Sequence, residues 1–137
     1  MPHVTVTYTN AAAFSEEELA PELQSMIVAI SGARLEACRT RFVYPQDEWY
    51  IAGGTEKTHQ AIHIEIALKV GRSAEVKRAL SESVLALVRT HLGPTPQFEV
   101  HLSVEVRDID PDGYVSHIEP VRDVPRDAIP QGKTTDA

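Results

Sequence analysis

The stretch AIHIEIALK, residues 61–69, decides the fold, because its apolar and polar side chains alternate over nine positions. Successive side chains of a strand point to opposite faces, so this alternation predicts a strand with one buried face. The buried face carries Ile62, Ile64, Ile66 and Leu68. Ser73 is a suitable N-cap for a helix over 74–92, where apolar residues recur at helical spacing until Gly93. A strand followed by an amphipathic helix is therefore the central unit of the chain.

The rest of the chain repeats this pattern, so that the order strand, helix, strand occurs twice. The predicted strands cover 3–9, 37–44, 61–69 and 98–106, and the predicted helices cover 19–31 and 74–92. Ser15 and Glu18 resemble a capping box, but Pro21 belongs in a first helical turn and moves the predicted start to Leu19. A helical crossover makes the two strands that it joins parallel. We therefore predict an α+β fold of duplicated β-α-β units, with a four-stranded sheet and two helices on one face.

The other face of the predicted sheet is polar and half-polar, and carries His63, Glu65, His101, Ser103 and Glu105. Such a face is too polar for a dry core, so we expect it to be covered by other copies of the chain in a symmetric oligomer. The histidines and carboxylates follow no tight metal-ligand spacing. We therefore expect them to form hydrogen bonds between subunits, and we predict no metal site.

Composition limits the class of protein. With 137 residues the chain suits one domain, predicted over 1–118, and the proline-punctuated residues 119–137 are expected to form an extended or disordered tail. No apolar run is long enough to span a membrane, no signal peptide is evident, and Cys38 is the only cysteine. These features favour a cytoplasmic protein without a membrane partner. The net charge of -7 argues against nucleic acid as a partner.

Several stretches together resemble the tautomerase superfamily, and within it the 5-carboxymethyl-2-hydroxymuconate Δ-isomerases. The stretches are Pro2-His3, Arg39-Thr40-Arg41, Asp47-Glu48-Trp49, Gly71-Arg72-Ser73 and Leu102-Ser103-Val104-Glu105-Val106. The resemblance implies a homotrimer without a cofactor, in which Pro2 acts as a catalytic base once Met1 has been removed. It also implies that Arg39 and Arg72 bind a small substrate that bears carboxylates.

The residues themselves fit that chemistry. A general base must be neutral at working pH, and both burial and nearby cations lower the pKa of an amine such as that of Pro2. Arg39 and Arg41 lie on one face of the predicted strand, about 7 Å apart, where they can hold carboxylates or pair with acidic residues. Arg72 precedes a helix N-terminus, which attracts anions, although a surface pair with Glu75 is an alternative.

Two further residues complete the predicted substrate site. Lys69 adds positive charge close to Arg72, and Trp49 is placed to close one wall of a pocket or to pack in a loop. The predicted function is a tautomerase that moves a proton in a 2-hydroxymuconate-type dicarboxylate or tricarboxylate.

Two other functions remain open. One is a dehalogenase or hydratase of a small unsaturated acid on the same fold, similar to the cis-3-chloroacrylate dehalogenases. That branch uses a histidine on the first helix and a tyrosine on the last strand, whereas here the first helix has no histidine and Ser103 lies near the tyrosine position. The other is a non-catalytic trimer that binds anions, which would bind ligand without turnover.

Overall fold

A computed structural model describes residues 2–9, 14–44, 54, 59–94 and 97–122 of the chain. The strands are β1 (His3–Tyr8), β2 (Arg39–Val43), β3 (His59–Lys69) and β4 (Glu99–Ile109). The helices are α1 (Glu16–Ser31) and α2 (Ala74–His91), with short 3-10 turns at Leu35–Ala37 and Pro111–Gly113. Among the described residues the strands form one sheet in the order β2-β1-β3-β4.

The pairing of the strands confirms the predicted duplication. β1 is parallel to β2, and β3 is parallel to β4, as expected for two strand–helix–strand units. The two units meet where β1 runs antiparallel to β3, with His3 opposite Ala67 and Tyr8 opposite Ile62. The fold is therefore α+β, with a four-stranded mixed sheet and two helices that pack against each other.

Helix α1 begins three residues before the predicted start at Leu19. The Ser15 Oγ accepts a hydrogen bond from the Glu18 backbone N–H at 3.3 Å, so the capping residues suggested by the sequence do begin the helix. Pro21 lies inside α1, where it has no N–H to donate to the carbonyl of Glu17. Both of these residues are exposed. Water can therefore take the place of the missing bond, and the proline does not force a later start.

The core lies between the helices and one face of the sheet. β1 and β3 contribute Val4, Val6, Ile62, Ile64, Ile66 and Leu68, and the helices contribute Leu19, Leu23, Ile27, Leu80, Val84 and Val88. Each of these side chains is almost completely buried. Burial of one such side chain stabilises the fold by about 1.5–3 kcal/mol. No helix in the described ranges combines the length and the apolar character that crossing a membrane requires.

The opposite face of the sheet, which we call the open face, carries polar residues that already pair within the chain. The Nδ1 of His63 lies 2.6 Å from the Ser103 Oγ, and the Nε of Arg107 lies 3.3 Å from a carboxylate oxygen of Glu65. β4 extends three residues past its predicted end at Val106, because it pairs with β3 as far as Ile109. This extension brings Arg107 onto the open face.

Candidate functional site

Pro2 lies at the start of β1 and is buried. Its carbonyl oxygen accepts a hydrogen bond from the Arg39 backbone N–H at 3.0 Å, which fixes the position of the first residues against β2. Pro2 lines a pocket of about 260 Å³. The other residues that line this pocket, called the Pro2 pocket below, are Gly32, Ala33, Arg34, Ala37, Lys69 and Arg72.

One wall of the Pro2 pocket is formed by the chain that leaves α1. Gly32 adopts a φ of 75°, a left-handed conformation that favours glycine, and its N–H donates to the carbonyl of Val28 at 3.0 Å. The Ser31 Oγ accepts a hydrogen bond from the Ala33 N–H at 3.2 Å. This capped turn directs Ala33 and Arg34 toward Pro2.

The other wall is formed by the connection between β3 and α2. Lys69 ends β3, and Arg72 immediately precedes Ser73, whose hydroxyl caps α2 by accepting from the Val76 N–H. The Nε of Arg72 donates to the Ser31 carbonyl at 3.0 Å, and its Nη1 donates to the Lys69 carbonyl at 3.2 Å. Arg72 therefore binds both walls of the pocket.

The arrangement makes the Pro2 pocket electropositive. Arg34, Lys69 and Arg72 bring three cationic side chains to one small concavity, and the N-terminus of α2 begins beside it. Arg34 pairs with Glu36, whose carboxylate oxygen lies 3.7 Å from its Nη1, and both side chains are more than 70% exposed. Such a surface pair neutralises little of the charge. A small carboxylate fits this environment.

The structure brings some of the predicted site residues together and separates others. Pro2, Lys69 and Arg72 share the Pro2 pocket. Arg39 and Arg41 instead line a cleft of about 320 Å³ on the open face. We expected Arg39 to lie near Pro2, but within a single chain it lies outside the Pro2 pocket. The reason is strand alternation, since Arg39 lies opposite His3, whose side chain lines the same cleft. Trp49 lies outside the described residues.

Arg39 is also held by backbone groups. Its Nη1 donates to the carbonyl of Glu36 at 2.7 Å and to the carbonyl of Cys38 at 3.1 Å. Arg72 binds carbonyls in the same way, through its bonds to Ser31 and Lys69. Both arginines are therefore oriented, and a guanidinium group has five N–H donors, so donors remain for an anion.

The sequence analysis missed Arg34. This residue belongs to no motif quoted above, and it enters the Pro2 pocket only because Gly32 turns the chain after α1. A basic residue two positions after a glycine that ends a helix is a signal that could have found it.

His3 lies beside Pro2 in the chain but belongs to the cleft on the open face. Its Nε2 lies 2.9 Å from the hydroxyl oxygen of Tyr114, and the two rings meet edge to face. Burial lowers the pKa of His3 below its ordinary value of 6.5, and nearby positive charge, including that of Arg39 and Arg41, adds to the effect. His3 is therefore disposed to be neutral in the folded chain.

Several solved structures share this fold. A 5-carboxymethyl-2-hydroxymuconate isomerase from Deinococcus radiodurans R1 is 23% identical, with a TM-score of 0.69 over 86% of this chain and 90% of that one. A member of the cis-3-chloroacrylic acid dehalogenase family is 19% identical, with a TM-score of 0.65 over 95% and 94%. A fused 4-OT protein, solved as a symmetric trimer, is 22% identical, with a TM-score of 0.63 over 78% and 85%.

The family is given by a sequence comparison that covers most of the chain. No significant match was found among curated protein sequences. The family model described as 5-carboxymethyl-2-hydroxymuconate isomerase, however, matches residues 2–120. This range includes every element of the fold and every described residue of the Pro2 pocket. The chain therefore belongs to the 5-carboxymethyl-2-hydroxymuconate isomerase family and is an enzyme of the isomerase class.

Proposed function

We propose that this isomerase is a cofactor-free tautomerase in which the amine of Pro2, freed by removal of Met1, is the general base. The substrate would be a 2-hydroxymuconate-type molecule with two or three carboxylates. One observation carries the proposal: a buried Pro2 shares a pocket of about 260 Å³ with Arg34, Lys69 and Arg72. A rigid secondary amine and a cluster of cations are what proton transfer on an anionic dienol requires.

The cations have two roles in this mechanism. The guanidinium of Arg72, held by the carbonyls of Ser31 and Lys69, binds one substrate carboxylate together with Lys69. The same positive charges, together with burial, lower the pKa of the Pro2 amine, because they disfavour its protonated form. Neutral Pro2 takes the proton of the 2-hydroxyl group and returns it to a distant carbon of the conjugated chain. The negative charge that develops on oxygen is stabilised by the pocket, and a ketone results.

We further propose that the active form is a homotrimer. Val115, Ile118 and Val121 have relative exposures of 94%, 64% and 102% in the single chain, which favours burial against another copy. The symmetric trimer of the fused 4-OT protein has a similar fold. Arg39 and Arg41 would then reach the substrate from surfaces outside the Pro2 pocket. For Arg39 this requires a second copy, because its own chain places it on the open face. Trp49 stays a proposed substrate contact.

The experiment is ultraviolet-monitored ketonisation of 2-hydroxymuconate and of its 5-carboxymethyl derivative, with protein confirmed by mass to begin at Pro2. We expect turnover of both compounds, with preference for the carboxymethyl compound, and a loss of at least about 100-fold in kcat/KM for Pro2→Ala. Pro111→Ala, at an exposed proline outside the pocket, is the matched control and should retain activity.

A second preparation tests the amine directly. Protein that retains Met1 has an amide in place of the Pro2 amine, so it should be inactive although its fold is unchanged. Full activity of Pro2→Ala or of the Met1-containing protein would contradict the proposed base. Halide release from a 3-haloacrylate without ketonisation would instead favour the dehalogenase alternative.

A further inference from the structure

Three potential metal ligands meet at the end of the sheet that lies away from Pro2. His59 begins β3, and Glu99 and His101 lie at the beginning of the parallel neighbour β4. His3 pairs with Ala67, eight residues along β3 from His59, so the cluster lies about 26 Å along the sheet from the Pro2 end. The cluster therefore belongs to neither the Pro2 pocket nor the cleft on the open face.

The strand register explains why these side chains converge. His59 is the direct neighbour of Glu99 on β4, and His101 follows two residues later, so Glu99 and His101 share one face of β4. The sequence analysis grouped His101 with His63 instead. In the structure His63 pairs with Ser103, whereas the rings of His59 and His101 lie 5.4 Å apart between centroids.

The distances suit a small divalent cation. The Nδ1 of His59 lies 3.3 Å from the Nε2 of His101 and 3.9 Å from a carboxylate oxygen of Glu99, and all three ligand atoms lie within 4.8 Å of one another. In a tetrahedral zinc site with Zn–N bonds of about 2.0–2.1 Å, two ligand nitrogens are separated by about 3.3 Å. The two ring nitrogens, which share a hydrogen bond in the structure, already have that separation. The Glu99 side chain is 73% exposed, so it can move the remaining distance at little cost.

We propose that His59, Glu99 and His101 form a binding site for a divalent transition metal ion of the zinc class. Two imidazole nitrogens and one carboxylate oxygen are ligands that Zn²⁺ accepts, and water would complete the coordination. The side chain of His59 is only 14% exposed, which gives the site one ligand whose position is fixed by its surroundings. A bound ion would connect β4, an edge strand, to β3. Because the native chain binds the ion and the unfolded chain does not hold the ligands together, binding would raise the melting temperature.

The test is zinc titration of the tag-free full-length protein by isothermal calorimetry, after treatment with a chelator. We expect one zinc ion per chain and a rise in Tm of about 10 °C when free zinc is about 100 times Kd. His101→Gln and Glu99→Gln should each weaken binding at least tenfold. Both positions are exposed in the single chain, so these variants should fold, which circular dichroism would check.

His117→Gln is the matched control. His117 also lies beside a carboxylate, 3.0 Å from that of Glu119, but this pair contains one histidine where the proposed site contains two. Its zinc affinity and its zinc-dependent rise in Tm should match those of the unchanged protein. Absence of stoichiometric binding, or equal affinity in His101→Gln and the control, would overturn the proposal. This outcome is independent of ketonisation activity, which depends on the opposite end of the sheet.

Discussion

Arg72 and Ser31 connect the beginning of α2 to the end of α1: the Nε of Arg72 donates to the Ser31 carbonyl at 3.0 Å. Ser31 is the last residue of α1, and the last carbonyls of a helix have no partner within the helix. A cation at this end also interacts favourably with the helix dipole. Arg72 thus stabilises the two walls of the Pro2 pocket in their relative positions while it presents positive charge to the pocket.

Replacement of Arg72 by alanine should therefore affect both substrate binding and pocket geometry. We expect kcat/KM for 2-hydroxymuconate to fall by about 100-fold or more, because a charge-assisted carboxylate contact contributes about 1.5–3 kcal/mol and positioning is lost as well. Arg72→Lys keeps the charge but not the planar set of donors, so it should recover only part of the loss. Steady-state kinetics of both variants would measure this.

The control for this prediction is Arg78→Ala. Arg78 lies on the exposed side of α2 and pairs with Glu82 at 3.0 Å, outside the residues that line the Pro2 pocket. Its removal should leave kcat/KM close to that of the unchanged enzyme, because Arg78 does not line the pocket. The fold should also persist, since an exposed pair contributes at most about 1 kcal/mol to stability. If Arg72→Ala and Arg78→Ala behave alike, Arg72 has no special role in the pocket.

Much of the fold could be predicted from the sequence because local patterns and tertiary packing agree. The alternation over 61–69 coincides with the buried face of β3, and the Ser73 cap begins α2 as expected. The start of α1 could not be placed, because the cost of Pro21 depends on the exposure of Glu17, which only the folded chain determines.

The candidate site was less predictable than the fold. Lys69 and Arg72 are close in sequence, so a single turn brings their side chains near each other. Both line the Pro2 pocket in the structure. Arg34 reaches the same pocket through the left-handed turn at Gly32, and where a residue after such a turn lies depends on how the turn packs in the folded chain. Arg39 was grouped with Arg72 by resemblance alone, and strand alternation assigns it to the open face.

Removal of the Lys69 charge should change the pH dependence of catalysis. If Pro2 is the base, activity requires its neutral amine and falls at acidic pH as that amine becomes protonated. Lys69→Met removes one neighbouring cation, so the pKa of the Pro2 amine should rise. The acidic limb of the pH profile of kcat should therefore shift to higher pH by roughly one pH unit. Activity near neutral pH should fall for the same reason.

The matched control is Arg89→Gln, which also removes one positive charge. Arg89 is exposed near the far end of α2, about 25 Å along the helix from Arg72, where solvent and salt screen its effect on Pro2. Its pH profile should match that of the unchanged enzyme. A shift in Arg89→Gln as large as that in Lys69→Met would show that net charge rather than the pocket sets the profile.

His3 should make the stability of the fold depend on pH in a defined direction. Burial and nearby positive charge lower its pKa below 6.5 in the folded chain, so the unfolded chain binds a proton more readily. The contribution of His3 to the free energy of unfolding is fully present above about pH 6.5. It is lost as the pH falls from there through the lowered pKa of His3 in the folded state. His3→Gln, which cannot be protonated, should lose less stability between about pH 8 and about pH 5, as measured by urea denaturation.

Tyr114→Phe separates this effect from the hydrogen bond of His3. The variant keeps the imidazole and most of the ring contact but removes the hydroxyl that lies 2.9 Å from the Nε2 of His3. We expect it to cost about 0.5–1.5 kcal/mol at neutral pH. Burial and the nearby arginines still lower the pKa of His3 in this variant. Tyr114→Phe should therefore lose stability at acidic pH as the unchanged protein does, whereas His3→Gln should lose less. An unchanged pH dependence in His3→Gln would mean that the acid sensitivity arises from other groups, and that the open-face cleft does not disfavour a charged imidazole.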